Sequence, residues 1–152
     1  MTGSKPDVGC VFCNALALGM GEPLVLWVGR RTFVILNKYP YNNGHLMVVP
    51  HRHVSSLAGL DAGEMQEIGT LVQRSELVLT DAYQPHGINV GVNLGKPAGA
   101  GILDHVHVHM VPRWNGDTNF MTVVGATRVL PEELPETAAK LRPVFARLVT
   151  TR

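Results

Sequence analysis

Two kinds of apolar pattern divide the chain. Short runs rich in β-branched and aromatic residues read as strands: LVLWVG (Leu24 to Gly29), TFVILN (Thr32 to Asn37), HLMVVP (His45 to Pro50) and GINVGVN (Gly87 to Asn93). Gly29-Arg30-Arg31 separates the first two and predicts a hairpin turn; KYPYNNGH, rich in Pro, Asn and Gly, predicts a loop. The segment DHVHVHMVPRW alternates with period two and predicts a further strand, as does NFMTVVG (Asn119 to Gly125). Between these lies a helical pattern. Met65, Ile68, Leu71, Val72 and Leu79 recur at helical spacing, behind Asp61 with Glu64 three residues on, which is a capping box. The tail from Pro131 is expected to be helical, with Pro135 and Pro143 constraining its start and straightness. This order predicts an α+β sheet with its helices on one side, not the alternating order of a Rossmann fold.

Composition fits that picture. At 152 residues, with 45% hydrophobic and 16% charged, one packed domain over 1–152 is expected, with an ordered core of about 10–125 and a helical tail over 131–150. A net charge of +1 gives no case for nucleic acid as partner. The polar start MTGSKPDVG has no signal-peptide pattern and no run has bilayer-spanning length, so a cytoplasmic location without membrane attachment is expected.

The candidate chemistry begins with the histidines. Three of the seven stand in HVHVH. In a strand, His105, His107 and His109 share one face while Val106, Val108 and Met110 share the other. Neighbours on one face are about 6.7 Å apart and the outer two about 13 Å. One metal ion therefore cannot take all three from a straight strand. Three readings stay open: a polar surface strand, an HxH metallohydrolase with only Asp104 as a local further ligand, or imidazole used as a nucleophile in nucleotidyl transfer. The loop Gly95 to Gly101 precedes the histidines directly. Its glycines let backbone N–H groups approach a phosphate, although it is not a P-loop. The two cysteines, Cys10 and Cys13, form CxxC. Before any strand, that spacing favours a metal over a thioredoxin-like redox site.

The run His105 to Val111 fits the signature His-φ-His-φ-His-φ-φ, with φ apolar, and resembles the histidine triad (HIT) superfamily. Asn37, Pro40 to Asn43 and Gly44 to Pro50 are similar to its first half, and Asn93 to Gly101 to its phosphate-binding stretch. PRWNGDTNFM is similar to the branch holding fragile-histidine-triad hydrolases and diadenosine tetraphosphate phosphorylases. The resemblance covers about Cys10 to Met121. It implies a HIT-like antiparallel sheet of about five strands with one long central helix and a C-terminal helix, paired into a homodimer.

It also implies roles. His107 would be the nucleophile, His109 its phosphate-side helper and His45 a buttress. Asn37 would contact the ribose; Asn93, Gly99, Ala100 and Gly101 would hold phosphate. Trp114 would stack on a base or close a subunit contact. Relatives often carry a polar side chain where this chain has Ala100-Gly101-Ile102-Leu103; backbone N–H groups, or Lys96, would substitute. In zinc-containing relatives CxxC joins two histidines, here His53 (His51 as the alternative) and His105, making a structural zinc site. No organic cofactor is implied. The implied substrates are dinucleoside polyphosphates, with orthophosphate favoured over water as acceptor. A phosphoramidate hydrolase and a low-turnover nucleotide-binding signalling module are the alternatives.

Overall fold

The computed structural model describes residues 9–99, 104–117 and 131–150. Among these residues five strands form one antiparallel sheet: β1 (Val25–Val28), β2 (Thr32–Leu36), β3 (Leu46–Pro50), β4 (Gly87–Val92) and β5 (Val108–Arg113), in the order β1-β2-β3-β5-β4. Among the described residues three α-helices accompany it: α1 (Val11–Leu18), α2 (Ala62–Tyr83) and α3 (Leu134–Thr150). The expected strand at Asn119 to Gly125 lies outside the described residues.

The hairpin, the long helix and the tail helix form where the patterns place them. The capping box closes as expected: Glu64 N–H donates to Asp61 Oδ1 at 2.8 Å and Asp61 N–H to Glu64 Oε1 at 2.9 Å. The same carboxylate takes Arg52, so the guanidinium holds the buried Glu64 below the usual carboxylate range. Helix α3 runs through Pro143, and Arg142 beside it donates to the carbonyls of Met20, Glu22 and Val25. That fork ties the last helix to the turn before β1.

One expectation is corrected. The helices lie on both faces of the sheet. Val34, Leu36, Leu46, Val48, Val108 and Met110 pack on one face against Leu71 and Leu79 of α2 and Leu141 and Phe145 of α3. On the other face Val25, Phe33, Ile35, Met47 and Val49 pack with Phe12 and Ala15 of α1, a helix the pattern did not announce. Burying Phe12, which is 1% exposed, is worth roughly 1.5–3 kcal/mol.

The histidine segment is only partly a strand. β5 pairs with β3 over Val108 to Met110 alone. Upstream the chain leaves β3, and Val106 N–H donates instead to the carbonyl of Val54 at 2.7 Å. His105 and His107 therefore precede the regular strand and His109 lies within it. Among the described residues β4 is an edge strand at the other end of the sheet, with Asn89, Val90 and Gly91 exposed. Among the described residues no helix is long and apolar enough to cross a membrane.

Candidate functional site

The loop between β2 and β3 turns sharply at Gly44, whose φ is +82°. A Cβ there would meet Tyr83 Cε2 at 2.9 Å, so only glycine lets the loop close on α2. The next residue, His45, is delivered buried beneath the sheet end. Two clamps hold this loop. Asn42 Nδ2 donates to the carbonyl of Pro112 and to Asp117, and Asn43 Oδ1 accepts the N–H of Glu132. Asp117 also takes Arg113 in a two-pronged ion pair, which keeps its carboxyl well below the usual range.

Three imidazoles stand in one row. The ring centroids of His107 and His109 are 4.7 Å apart, and those of His109 and His45 5.2 Å. Their tautomers follow from their partners. The Tyr41 backbone N–H donates to His45 Nδ1 at 3.1 Å. A neutral ring accepting at Nδ1 carries its proton on Nε2. His45 Nε2–H therefore donates to His109 Nδ1, 3.0 Å away, which leaves the proton of His109 on Nε2. The 3.4 Å approach of Asn37 Nδ2 to His45 Nε2 is then donor against donor and not a hydrogen bond. His107 is fixed independently: its Nδ1–H donates to the carbonyl of His105 at 2.9 Å, leaving a lone pair on Nε2.

These tautomers require neutral rings, and burial supplies them. Burial first, then the charges of His109 and His107, pushes His45 down to about 4. Burial and His107 push His109 down to about 4. His107 is lowered by burial, opposed by its bond to the His105 carbonyl. The row thus offers one nucleophilic nitrogen beside one N–H donor, an arrangement suited to attack on phosphorus with hydrogen bonding to its oxygens.

His105 faces elsewhere. Its Nε2–H donates to the carbonyl of Pro50 at 2.8 Å, so Nδ1 carries the lone pair. That nitrogen lies 3.4 Å from Cys10 Sγ and 3.7 Å from Cys13 Sγ. His53 Nδ1 is 3.4 Å from Cys13 Sγ. The ligand atoms of Cys10, Cys13, His53 and His105 all lie within 4.8 Å of one another. In a tetrahedral zinc site with Zn–S about 2.3 Å and Zn–N about 2.0 Å, S and N atoms stand about 3.5 Å apart. The donor set fits such an ion. His51 is not part of it, since its Nε2 meets the carbonyl of Thr32 at 3.0 Å.

The other sequence-derived candidates are placed less directly. Asn37 accepts the Tyr39 N–H at Oδ1, and its Nδ2 lies 3.9 Å from Met47 Sδ. Asn93 Nδ2 donates to the carbonyl of Gly99 at 3.4 Å, folding the Gly-rich loop on itself; Gly99 has φ +94°. Lys96 is exposed in a 3-10 turn, and Ala100 and Gly101 lie outside the described residues. Trp114 stacks edge-on against Tyr83 at 6.2 Å. Sequence reasoning missed Phe12, whose ring touches both His105 and His107. Its place between the two cysteines was the available signal.

Comparison with known proteins agrees with this geometry. Residues 25–116 match the HIT domain. An AP-4-A phosphorylase of Mycobacterium tuberculosis is 46% identical over 126 residues, 83% of this chain and 65% of that protein. The chain thus spans just under two thirds of that relative's length. An asymmetrical bis(5'-nucleosyl)-tetraphosphatase of Schizosaccharomyces pombe is 33% identical over 93 residues, 61% of this chain and 50% of that one. Among solved structures, a Zn-bound histidine triad family protein from Mycobacterium smegmatis superposes with TM-score 0.74 at 25% identity, covering 95% of this chain and 98% of that one. The sheet, the row of imidazoles and these matches together establish that the chain belongs to the histidine triad (HIT) family.

Proposed function

We propose that the protein is a nucleotidyl-transfer enzyme that cleaves dinucleoside polyphosphates of the diadenosine tetraphosphate type. The observation that carries this reading is the tautomer of His107, with Nδ1–H bound to the His105 carbonyl and Nε2 left as a lone pair beside His109. In the first step His107 Nε2 attacks the α-phosphorus. An N–P bond forms, and the bond from that phosphorus to its bridging oxygen breaks. The leaving nucleotide takes the electron pair, and His109 Nε2–H donates to the phosphate oxygens. His45 holds the orientation of His109. In the second step an oxygen of orthophosphate attacks the same phosphorus, and the pair returns to Nε2. From diadenosine tetraphosphate the products are ATP and ADP.

Phosphate is the favoured acceptor because the relative with 46% identity is an AP-4-A phosphorylase. Asn37 is assigned to the ribose. Asn93 and the backbone of Gly99, Ala100 and Gly101 are assigned to phosphate. Zinc is assigned to Cys10, Cys13, His53 and His105, where it would crosslink α1 to the residues flanking β3 and β5. The reading includes a homodimer paired through β4 and a cytoplasmic location.

Product analysis from diadenosine tetraphosphate, with and without orthophosphate, tests the reaction. ADP plus ATP, formed only with phosphate, is the expected result; AMP plus ATP would make the protein a hydrolase. Absence of an acid-labile nucleotidyl adduct on His107 under single turnover would remove the covalent step.

A further inference from the structure

The candidate metal centre and the candidate nucleophile share two physical connections. The first is the residue His105 itself. Its ring nitrogen Nδ1 faces the cysteine sulfurs, and its backbone carbonyl accepts the Nδ1–H of His107. The second is Phe12, the third residue of the Cys10–Cys13 turn. Its ring lies edge-on to His105, 5.4 Å between centroids at 73°, and tilted against His107, 4.9 Å at 55°. Phe12 is 1% exposed, His105 0% and His107 6%, so little solvent separates the three rings.

Apolar packing holds the turn against the sheet: Phe12 and Ala15 are buried with Val25, Phe33, Ile35, Met47 and Val49. Helix α1 has eight residues, and its first turn is capped by a thiol: Cys13 N–H reaches Cys10 Sγ at 3.5 Å. A helix this short is marginal by itself. Two of the four metal-facing side chains come from this turn, while His53 and His105 come from the segments beyond β3 and before β5. A bound ion therefore joins α1 to the sheet at the residues that flank Phe12.

We infer that Phe12 is a positioning residue for His107, and that metal binding by Cys10, Cys13, His53 and His105 holds its ring against the imidazole. The ring closes one side of His107 while the His105 carbonyl fixes the Nδ1–H. With both in place, Nε2 has a single direction. Without the metal tether the ring is held by apolar packing, which fixes its angle to the imidazole less tightly, and His107 gains alternative rotamers and tautomers. The catalytic meaning of this coupling rests on His107 as the nucleophile; the coupling itself does not.

The test reads the His107 ring directly. Imidazole nitrogen resonances of the 15N-labelled full chain are recorded with one equivalent of zinc, after chelation, and for zinc-loaded F12L. Leucine keeps an apolar side chain in the core and so preserves the fold. Zinc-loaded wild type is expected to give one neutral Nδ1–H tautomer for His107. Chelated wild type and loaded F12L are expected to give averaged tautomers, with amide dispersion retained. F12L is also expected to lose about 10–100-fold in kcat with KM unchanged, the scale of a small misplacement of a reacting group. His107 resonances unmoved in folded F12L would overturn the inference, whether or not chelation unfolds the wild type. If the ring responds but no adduct ever forms on His107, the coupling stands and the proposed reaction falls.

Discussion

His45 Nε2 stands 3.0 Å from His109 Nδ1, and the far nitrogen of His45 is occupied by the backbone N–H of Tyr41. A main-chain donor thus sets the polarity of both rings, and it ends with a proton on His109 Nε2. Replacing His45 with phenylalanine keeps the ring and removes the relay. H45F is expected to lower kcat by about 10–100-fold, the usual effect of losing an outer hydrogen-bond partner. KM should stay near wild type, and steady-state kinetics on diadenosine tetraphosphate reads both. Equal kcat in H45F and wild type would remove the relay from the reaction.

Acid should destabilise the fold through the same pair. His45 and His109 are pushed down to about 4 in the folded protein, below the ordinary histidine value of 6.5. The unfolded chain therefore binds protons first as pH falls. The stability these two rings contribute is fully present above about pH 6.5 and is lost progressively toward about pH 4. Urea midpoints across that window, at fixed metal loading, should fall for wild type and fall less for H45F. Parallel curves for the two proteins would contradict the assignment.

Metal affinity should depend on each thiol. C13S removes one of two sulfur donors from a set whose atoms lie within 4.8 Å. Its zinc affinity is expected to drop by more than the roughly 10–100-fold that follows loss of an outer hydrogen-bond partner. H51A, by contrast, should bind zinc as wild type does, because His51 is bound to the carbonyl of Thr32. Competition with a chromophoric chelator measures both; a large loss in H51A would reassign the fourth ligand.

The bend before His45 should tolerate no side chain. At Gly44, φ is +82° and a Cβ would sit 2.9 Å from Tyr83 Cε2. G44A is expected to cost about 1–3 kcal/mol from the backbone strain alone, with the contact adding to it. Chemical denaturation gives the value. A midpoint equal to wild type would mean that the loop closes without the conformation assigned here.

Much of this was legible from residue order. The capping box at Asp61 and the hairpin around Gly29 follow from local patterns, and the sharing of His45, His107 and His109 in one site from the family resemblance. Helix α1 did not, because VFCNALAL is apolar almost all round and is capped by a cysteine, so it carries neither a polar stripe nor an ordinary start signal. The split of the histidine segment was also hidden. Period-two alternation extends from His105 to Met110, yet β5 begins only at Val108 because Val106 pairs with Val54 instead. That pairing is a contact across 52 positions, and no local pattern encodes it. The same divergence frees His105 to face the cysteines while His109 stays in the row.

The interior place of β5 has a consequence for how this gene can vary. Val108 and Met110 belong to the core beneath the helices, and His109 between them alternates to the other face, against His107 and His45. A single inserted or deleted codon within β5 would shift the register of the residues after it by one and exchange their faces. Just before His109, such a change would place the imidazole among Leu46, Leu79 and Phe145. Length changes are therefore barred from this strand by folding as well as by chemistry, and lineages of this protein should diverge by substitution there and by insertion only in its loops.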